Sequence, residues 1–343
     1  MKAKTILLYL LSGLSIMFNA AASTVEVRLA TVAPKGSVWH DYLVDLDQDW
    51  RALTHGAVRL RIYAGTLGDE EDIMRRIRVG QINAAAVTTN GLSTVDLALT
   101  VFDIPMAFAS SAELDFVVNR LARHLADVLE RRGLIVLNWG EAGWVHFFTR
   151  EPVITPDDLK REKLFVWRGS GSAHAEQIWK DLGFHPVPLS YVDILHALQT
   201  GMVTTVQAPP IAALANQWFA LTGSMSEFRW APLIGATVIS AKAWAQIPEK
   251  FHPVLAASAR RHGRILQQKV RDLEQDAIIA MAKRGLRITP TPPDARREWE
   301  RVAVSVYPAI RGKTVPEEYF DRVMALRDEY RADKFRASQS KPQ

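Results

Sequence analysis

Three evenly spaced histidines are the first residues in this chain whose type and spacing could do chemistry. His174, His185 and His196 recur every eleven residues, so a continuous helix could carry all three imidazoles on one face as metal ligands. Gly183 and Pro186 stand between them and would break such a helix. We therefore expect no triple-histidine metal site.

A glycine-rich turn, "GSGSAH" at residues 169–174, resembles the start of a dinucleotide-binding fingerprint. His174 stands where the third glycine belongs, and the following segment "HPVPLS", 185–190, is broken by prolines, so we expect no nucleotide cofactor. Two alternatives stay open for the turn. Backbone N–H groups of residues 170–173 could receive an anion beside Arg168, or the turn is a tight connection with an exposed arginine.

Other catalytic signals are missing from the sequence. It has no HExxH, no GxSxG and no P-loop pattern, and without cysteine it can form neither a thiolate nucleophile nor a disulfide. The formal charge of +5 is spread over 42 basic and 37 acidic residues. The basic cluster "ARRHGR", 259–264, falls in a helical pattern and is typical of a solvated face. We expect neither an enzyme nor a nucleic-acid-binding protein, and no cofactor.

The elements that would position a site alternate between strands and helices. Strand patterns occur at residues 25–33, 58–65 and 82–89, and helical patterns lie between them at 41–54 and 69–80. Such alternation predicts parallel sheets wound with helices, an α/β fold.

The same alternation recurs after residue 134, followed by one long helix from Pro248 to about Gly285 and further helices between 294 and 333. No low-complexity linker separates the parts. We predict two α/β lobes joined by more than one crossing, with a ligand cleft where strand ends converge between them.

The first 23 residues have the pattern of a secretory signal peptide. Lys2 and Lys4 precede a short apolar run, and the alanines that end at Ala22 offer a cleavage site. The apolar run is shorter than the roughly 20 residues of a membrane span. We expect export, with cleavage near Ala22.

One long stretch resembles a known family. The segment "IYAGTLGDEEDIMRRIRVGQINAAAV", 62–87, is similar to the periplasmic solute receptors of tripartite ATP-independent periplasmic (TRAP) transporters. Four further segments agree with the family in order and spacing: "LATVAPKGSVWH", "FDIPMAF", "ITPDDLKREKLFV" and "LGFHPVPLSYVDILHALQTGMV". The resemblance covers nearly the whole mature chain.

This resemblance implies a two-lobed periplasmic-binding-protein architecture that closes around a small ligand and delivers it to an ion-gradient-driven membrane permease. It implies a periplasmic location and no chemistry on the ligand. By position, lobe I would comprise residues 24–146 with 237–343, including the long C-terminal helix, and lobe II residues 147–236.

Three polar anchors of the family are replaced in this chain. The family usually grips a carboxylate with an arginine in the strand after the "DLKREK" motif, and Phe165 occupies that position here. Val145 stands where a second arginine is frequent, and Ala208 where an asparagine is common. An aromatic side chain in place of arginine removes the bidentate fork and supplies an apolar surface.

The candidate cleft residues, carried over by position, are mostly aromatic or polar. They are Trp39, Thr88, Asn90, Phe165, Trp167, Arg168, Tyr191, Gln207 and Trp218. For Trp39 and Trp218 the alternative is core packing. Our hypothesis is a ligand less polar than the usual carboxylates, with Gln207, Asn90 and Thr88 supplying hydrogen bonds. The alternatives are an organic acid anchored by Arg168, or a periplasmic module that serves a sensor or a lipid-shuttling system.

Overall fold

The computed structural model describes residues 24–168 and 173–339, so the predicted signal peptide and the turn at 169–172 lie outside the described residues. The strands are β1 Val25–Thr31, β2 Val58–Ala64, β3 Ala84–Thr88, β4 Leu134–Trp144, β5 His146–Thr149, β6 Lys163–Trp167, β7 His185–Leu189, β8 Thr205–Ala208, β9 Ser224–Ser226, β10 Pro232–Ser240 and β11 Arg287–Thr289.

The helices lie between these strands and at the C-terminal end. They are α1 Val38–Leu53, α2 Glu70–Arg78, α3 Thr89–Ser93, α4 Ser111–Arg131, α5 Pro156–Leu159, α6 Ala173–Asp181, α7 Ile194–Thr200, α8 Pro210–Ala215, α9 Phe219–Thr222, α10 Ala241–Trp244, α11 His252–Ala282, α12 Pro293–Ser305, α13 Tyr307–Ile310 and α14 Glu317–Gln339. Across the described residues, no helix is both long and apolar enough to cross a membrane.

The strands form two mixed sheets. Sheet 1 has the order β2-β1-β3-β10-β4, and sheet 2 the order β11-β9-β5-β8-β6-β7. The prediction of parallel sheets is wrong in part, because β10 runs antiparallel to β3 and β4, and β5 runs antiparallel to β8 and β9. The chain leaves sheet 1 at Trp144 and returns beside it at Pro232, so the returning strand must run in the opposite direction.

The proline-containing segment after α6 is a strand, contrary to the sequence expectation. Strand β7 pairs with β6 in parallel and lies at the edge of sheet 2. Leu189 faces β6, since its carbonyl accepts from the backbone N–H of Arg168 at 3.0 Å. Pro186 and Pro188 alternate with the residues that face β6, so their missing N–H groups fall on the open side, where an edge strand tolerates proline.

Two crossings between the sheets are hydrogen-bonded to each other. The N–H of Val145 donates to the carbonyl of Ala231 at 2.9 Å, and the N–H of Trp230 donates to the carbonyl of Val145 at 2.8 Å. A third connection is α11, which starts four residues later than predicted, after a 3-10 turn at Glu249–Phe251. The division into lobes stays a prediction. The predicted bounds put residues 232–236 in lobe II and residues 287–289 in lobe I, whereas the first belong to a strand of sheet 1 and the second to a strand of sheet 2.

Many of the ten tryptophans build the core. Beside sheet 2, Phe147 stacks on Trp299 at 5.6 Å between ring centroids, and Phe228 contacts Trp299 at 4.7 Å. The Trp299 ring is fully buried, and its N–H donates to the carbonyl of Ile154 at 2.9 Å. Trp50 and Trp144 are fully buried as well. Tryptophan number alone therefore does not identify the ligand site.

We expect Gly235→Ala to lower the free energy of unfolding by about 1–3 kcal/mol, because overpacking a fixed backbone is destabilising. A Cβ at Gly235 would lie 2.4 Å from the carbonyl oxygen of Val87 and 3.1 Å from the Cα of Thr88, on the neighbouring strand. Gly140, the partner of Gly235 on β4, has open space at the same position, so Gly140→Ala is the matched control. Urea unfolding measures both variants. Equal stability of the two would contradict the close strand packing.

Candidate functional site

Two adjoining cavities lie between the sheets. Cavity A, of about 230 Å³, is lined by residues that include Asn90, Asp103, Phe165, Gln207, Trp218 and Trp230. Cavity B, of about 120 Å³, is lined by residues that include Trp39, Tyr42, Glu70, Thr88, Asn138 and Glu141. Trp167, Tyr191, Ala212 and Leu233 line both cavities. The shared wall makes the two cavities neighbouring compartments of one region.

Eight of the nine residues predicted from the sequence lie in these walls. Asn90, Phe165, Trp167, Tyr191, Gln207 and Trp218 line cavity A, and Trp39, Thr88, Trp167 and Tyr191 line cavity B. Phe165 and Trp218 are at the same time fully packed against the core beside sheet 2. Contact of these residues with a ligand stays a prediction.

An aromatic wall separates the two cavities. Phe165 and Trp167 are two residues apart on β6, so they project to the same face of the strand, with ring centroids 5.5 Å apart. Trp167 stacks on Tyr191 at 5.7 Å with an interplanar angle of 8°, and Tyr191 meets Trp218 edge-on at 5.3 Å. The side-chain amide of Asn216 lies 2.7 Å from the Tyr191 hydroxyl, and burial raises the pKa of Tyr191. The wall is rigid and offers mostly apolar surface.

Arg168 is the predicted residue that lies outside both walls. Its guanidinium donates to the hydroxyl of Ser190, and that hydroxyl donates to Oδ2 of Asp69 at 2.8 Å. Asp69 is the N-cap of α2, beside sheet 1, whereas Arg168 and Ser190 follow strands of sheet 2. Arg168 therefore takes part in a hydrogen-bonded chain across the cleft. Residues 170–173, expected to supply an anion-binding helix start beside it, fall largely outside the described residues.

Glu70 organises the turn from β3 into α3. Its carboxylate accepts from the backbone N–H of Thr88 at 2.8 Å, the hydroxyl of Thr88 at 2.7 Å and the N–H of Gly91 at 2.8 Å. Burial raises the pKa of Glu70, and these donors oppose that rise. The Thr88 hydroxyl donates its one hydrogen bond to Glu70, so it has no donor left for a ligand. By contrast, the Asn90 amide makes no side-chain hydrogen bond with the described residues.

Asp103 was not among the predicted site residues, although it lies in the quoted segment "FDIPMAF". It lines cavity A, and its Oδ1 accepts from the hydroxyl of Thr89 at 2.8 Å. Burial raises the pKa of Asp103 to about 7, and the neighbouring charge of Glu70 acts in the same direction. The signal for Asp103 in the sequence was an acid within an otherwise apolar segment. A buried acid of this kind needs a hydrogen-bond donor or a proton.

Glu141 in the wall of cavity B ties β4 to α11. Its Oε2 accepts from Nε and Nη2 of Arg271 at 2.9 and 2.5 Å, and Arg271 also forms two hydrogen bonds with Asp115. Glu141 is 2% exposed, and its Oε1 has no hydrogen-bond partner among the described residues. Burial raises the pKa of Glu141, and Arg271 opposes that rise.

The ionisable side chains in the walls are thus mainly acids. Within residues 24–168 and 173–339, no arginine, lysine or histidine lines either cavity. The same part of the chain holds no group of three acids or histidines that could hold a metal ion. The walls can enclose an apolar body and offer hydrogen bonds from Asn90 and Gln207. From the described part of the chain, they provide no cation for a carboxylate.

A family model described as bacterial extracellular solute-binding protein, family 7 (DctP), matches residues 29–313. An uncharacterised protein of Haemophilus influenzae is 21% identical over 284 residues, which cover 81% of this chain and 85% of that protein. The C4-dicarboxylate-binding periplasmic protein DctP of Rhodobacter capsulatus is 21% identical over 305 residues, or 86% of this chain and 89% of the relative.

Solved structures share the fold. The sugar acid binding protein DctPAm from Advenella mimigardefordensis, in complex with galactonate, has a TM-score of 0.83 at 17% identity and covers 90% of this chain and 99% of its own. A TRAP periplasmic solute binding protein from Sulfurospirillum deleyianum, with bound succinate, has a TM-score of 0.81 at 18% identity, with 89% and 99% covered. These likenesses confirm the predicted two-lobed α/β architecture.

We expect Asp103→Asn to stabilise the protein near pH 8 by a few kcal/mol and to bring little gain near pH 4. Folded Asp103 keeps its proton to about pH 7, whereas the unfolded carboxyl has the ordinary pKa of 3.8. The wild-type free energy of unfolding therefore falls as the pH rises from about 4 to about 7. Asparagine keeps the Thr89 contact and does not ionise, so the variant keeps its free energy of unfolding over this range. Denaturant unfolding against pH measures it. A stability difference independent of pH would contradict the burial of an isolated carboxyl.

Proposed function

The chain belongs to family 7 of the bacterial extracellular solute-binding proteins, and from that premise we propose that it binds a small ligand less polar than an organic acid for a TRAP transporter. The family consists of periplasmic solute receptors for transport, so the chain is a binding protein and not an enzyme. The observation that carries the ligand proposal is Phe165 at the arginine position, in the wall of cavity A.

Electrostatics support this ligand class. A carboxylate that enters a cavity loses hydration, and it needs a cation or several donors in return. Phe165, Val145 and Ala208 stand where the resemblance places polar anchors, and all three line cavity A. A bound acid would instead meet aromatic rings and the carboxyl of Asp103. The aromatic wall favours a flat or aliphatic body that buries apolar surface.

The relatives point to the competing candidate, an organic acid. Galactonate and succinate are bound by proteins of the same fold. An acid receptor of this sequence would need Arg168 as its anchor. Arg168 is already hydrogen-bonded to Ser190, outside both cavity walls, which counts against that role.

Delivery to a membrane permease and closure around the ligand are part of the proposal. The two sheets flank the cavities, and the chain Arg168–Ser190–Asp69 links them at one rim. We propose that this chain holds the closed form and that cleft opening breaks the contact between Ser190 and Asp69. The partner would be the permease subunits of a TRAP transporter in the inner membrane. Export by cleavage near Ala22 completes the proposal.

We expect phenylpropanol at millimolar concentration to raise the melting temperature, and succinate or galactonate to leave it unchanged. A ligand that binds only the folded state stabilises it by mass action, by roughly 2.7 kcal/mol at a hundred times its dissociation constant. Thermal shift measures the three compounds side by side. A larger shift with either acid would contradict the proposed ligand class. In that case Arg168→Ala tests whether Arg168 binds the acid. Loss of the rise in melting temperature would identify Arg168 as the anchor, and an unchanged rise would show that it does not contact the acid.

We expect Ser190→Ala to favour the open form by about fivefold, the equivalent of one hydrogen bond of about 1 kcal/mol. Because the chain contains no cysteine, Arg78→Cys and His196→Cys can carry a unique pair of spin labels on α2 and α7. Double electron–electron resonance should show longer distances in the Ser190→Ala background. Ser305→Ala, in an exposed helix turn, is the control. An unchanged distance distribution would contradict a closing role for Ser190.

A further inference from the structure

Among the described residues, the acidic and basic side chains that line the two cavities are all acids. Asp103 lines cavity A, and Glu70 and Glu141 line cavity B. Glu70 accepts from Thr88 and Gly91, and Glu141 shares the guanidinium of Arg271 with Asp115. Asp103, once ionised, is therefore the carboxylate that favours a ligand of positive charge in cavity A.

Asp103 is placed to act as a counter-charge. Its side chain is partly accessible although the residue lies between the sheets, and cavity A is the space that it borders. Thr89 supplies one hydrogen bond to Oδ1. No second hydrogen bond to this carboxyl comes from the described residues. The carboxyl thus has capacity for a second donor at the cavity surface.

The walls of cavity A suit an organic cation in a second way. Trp167, Trp179, Trp218 and Trp230 border it together with Phe165 and Tyr191. Aromatic faces attract a cation through their quadrupole, with tryptophan the strongest. An aromatic enclosure with one carboxyl recognises an ammonium group by charge and its hydrocarbon body by burial.

We infer that the ligand is an organic cation, an amine with an apolar or aromatic body, and that Asp103 pairs with its ammonium group. This inference rests on the proposed function, since it specifies the head group of the less polar ligand proposed there. Asp103 would then determine specificity: it attracts amines and repels the carboxylates that related receptors bind.

The experiment compares three probes that share one body: phenylpropylamine, phenylpropanol and phenylpropanoate. Isothermal titration calorimetry near pH 8, where Asp103 is ionised, should give the amine an affinity about tenfold above the alcohol, as expected for a charge-assisted hydrogen bond. Asp103→Asn should remove that advantage, so that the amine and the alcohol bind the variant with similar affinity. Asp276→Asn, on the exposed face of α11, changes the net charge equally and is the matched control.

A pH series provides the second readout. The amine stays protonated throughout, so its affinity should fall by about tenfold in total as the pH drops below about 7 and Asp103 takes up a proton. Glu70, on α2, is the charged neighbour that acts on Asp103, and it is unchanged in the variant. In Asp103→Asn the profile of the amine should be flat, as should that of the alcohol in both proteins.

The remaining outcomes would contradict either the cation assignment alone or the proposed ligand class as well. Equal or tighter binding of the alcohol, or an amine affinity unaffected by Asp103→Asn, overturns the cation assignment and leaves the proposed apolar ligand standing. Tightest binding of phenylpropanoate overturns both the assignment and the proposed ligand class.

Discussion

A carboxyl taken out of water must find donors or keep its proton, and three such groups border the region between the sheets. Glu70 finds three donors in Thr88 and Gly91, and in doing so it fixes the turn that presents Asn90. Glu141 finds Arg271 and thereby ties β4 to the long helix. Asp103 finds Thr89 alone. Two of the three hold the frame together, and the third, Asp103, faces cavity A with a single donor and a pKa raised to about 7.

The frame around these groups comes from the way the chain crosses between sheets. Strand β10 re-enters sheet 1 beside the end of β4, where the chain left that sheet. The two crossing segments therefore pair through Val145 and Ala231, and both of these residues line cavity A. The same return makes both sheets mixed. Close packing at Gly235 sets Thr88 at a fixed distance from β10, so the turn held by Glu70 has little freedom to move.

The sequence allowed most of the architecture and most of the wall residues to be predicted. Strand–helix periodicity identified most strands of both sheets but not β7, β9 or β11, and position within a familiar pattern placed Phe165, Trp167 and Tyr191 in the cavity walls. The sequence did not reveal strand direction, because direction depends on where the chain re-enters a sheet. It also did not reveal that β7 lies at a sheet edge, where Pro186 and Pro188 can belong to a strand. Asp103 was missed because its role depends on burial beside Thr89 and Glu70, and the local signal, an acid within an apolar run, does not by itself give that burial. Arg168 was expected to face a ligand or the solvent, and its partner Ser190 lies twenty-two residues away.

We propose that this receptor takes a ligand that is not an acid, although solved structures of the same fold hold galactonate and succinate. Native mass spectrometry of the protein exported by cells and purified without refolding tests it most directly, because a tightly held ligand stays bound through purification. We expect an added mass that belongs to an amine or another compound without a carboxylate and that is released on unfolding. An added mass identified as a sugar acid or a dicarboxylate would contradict it.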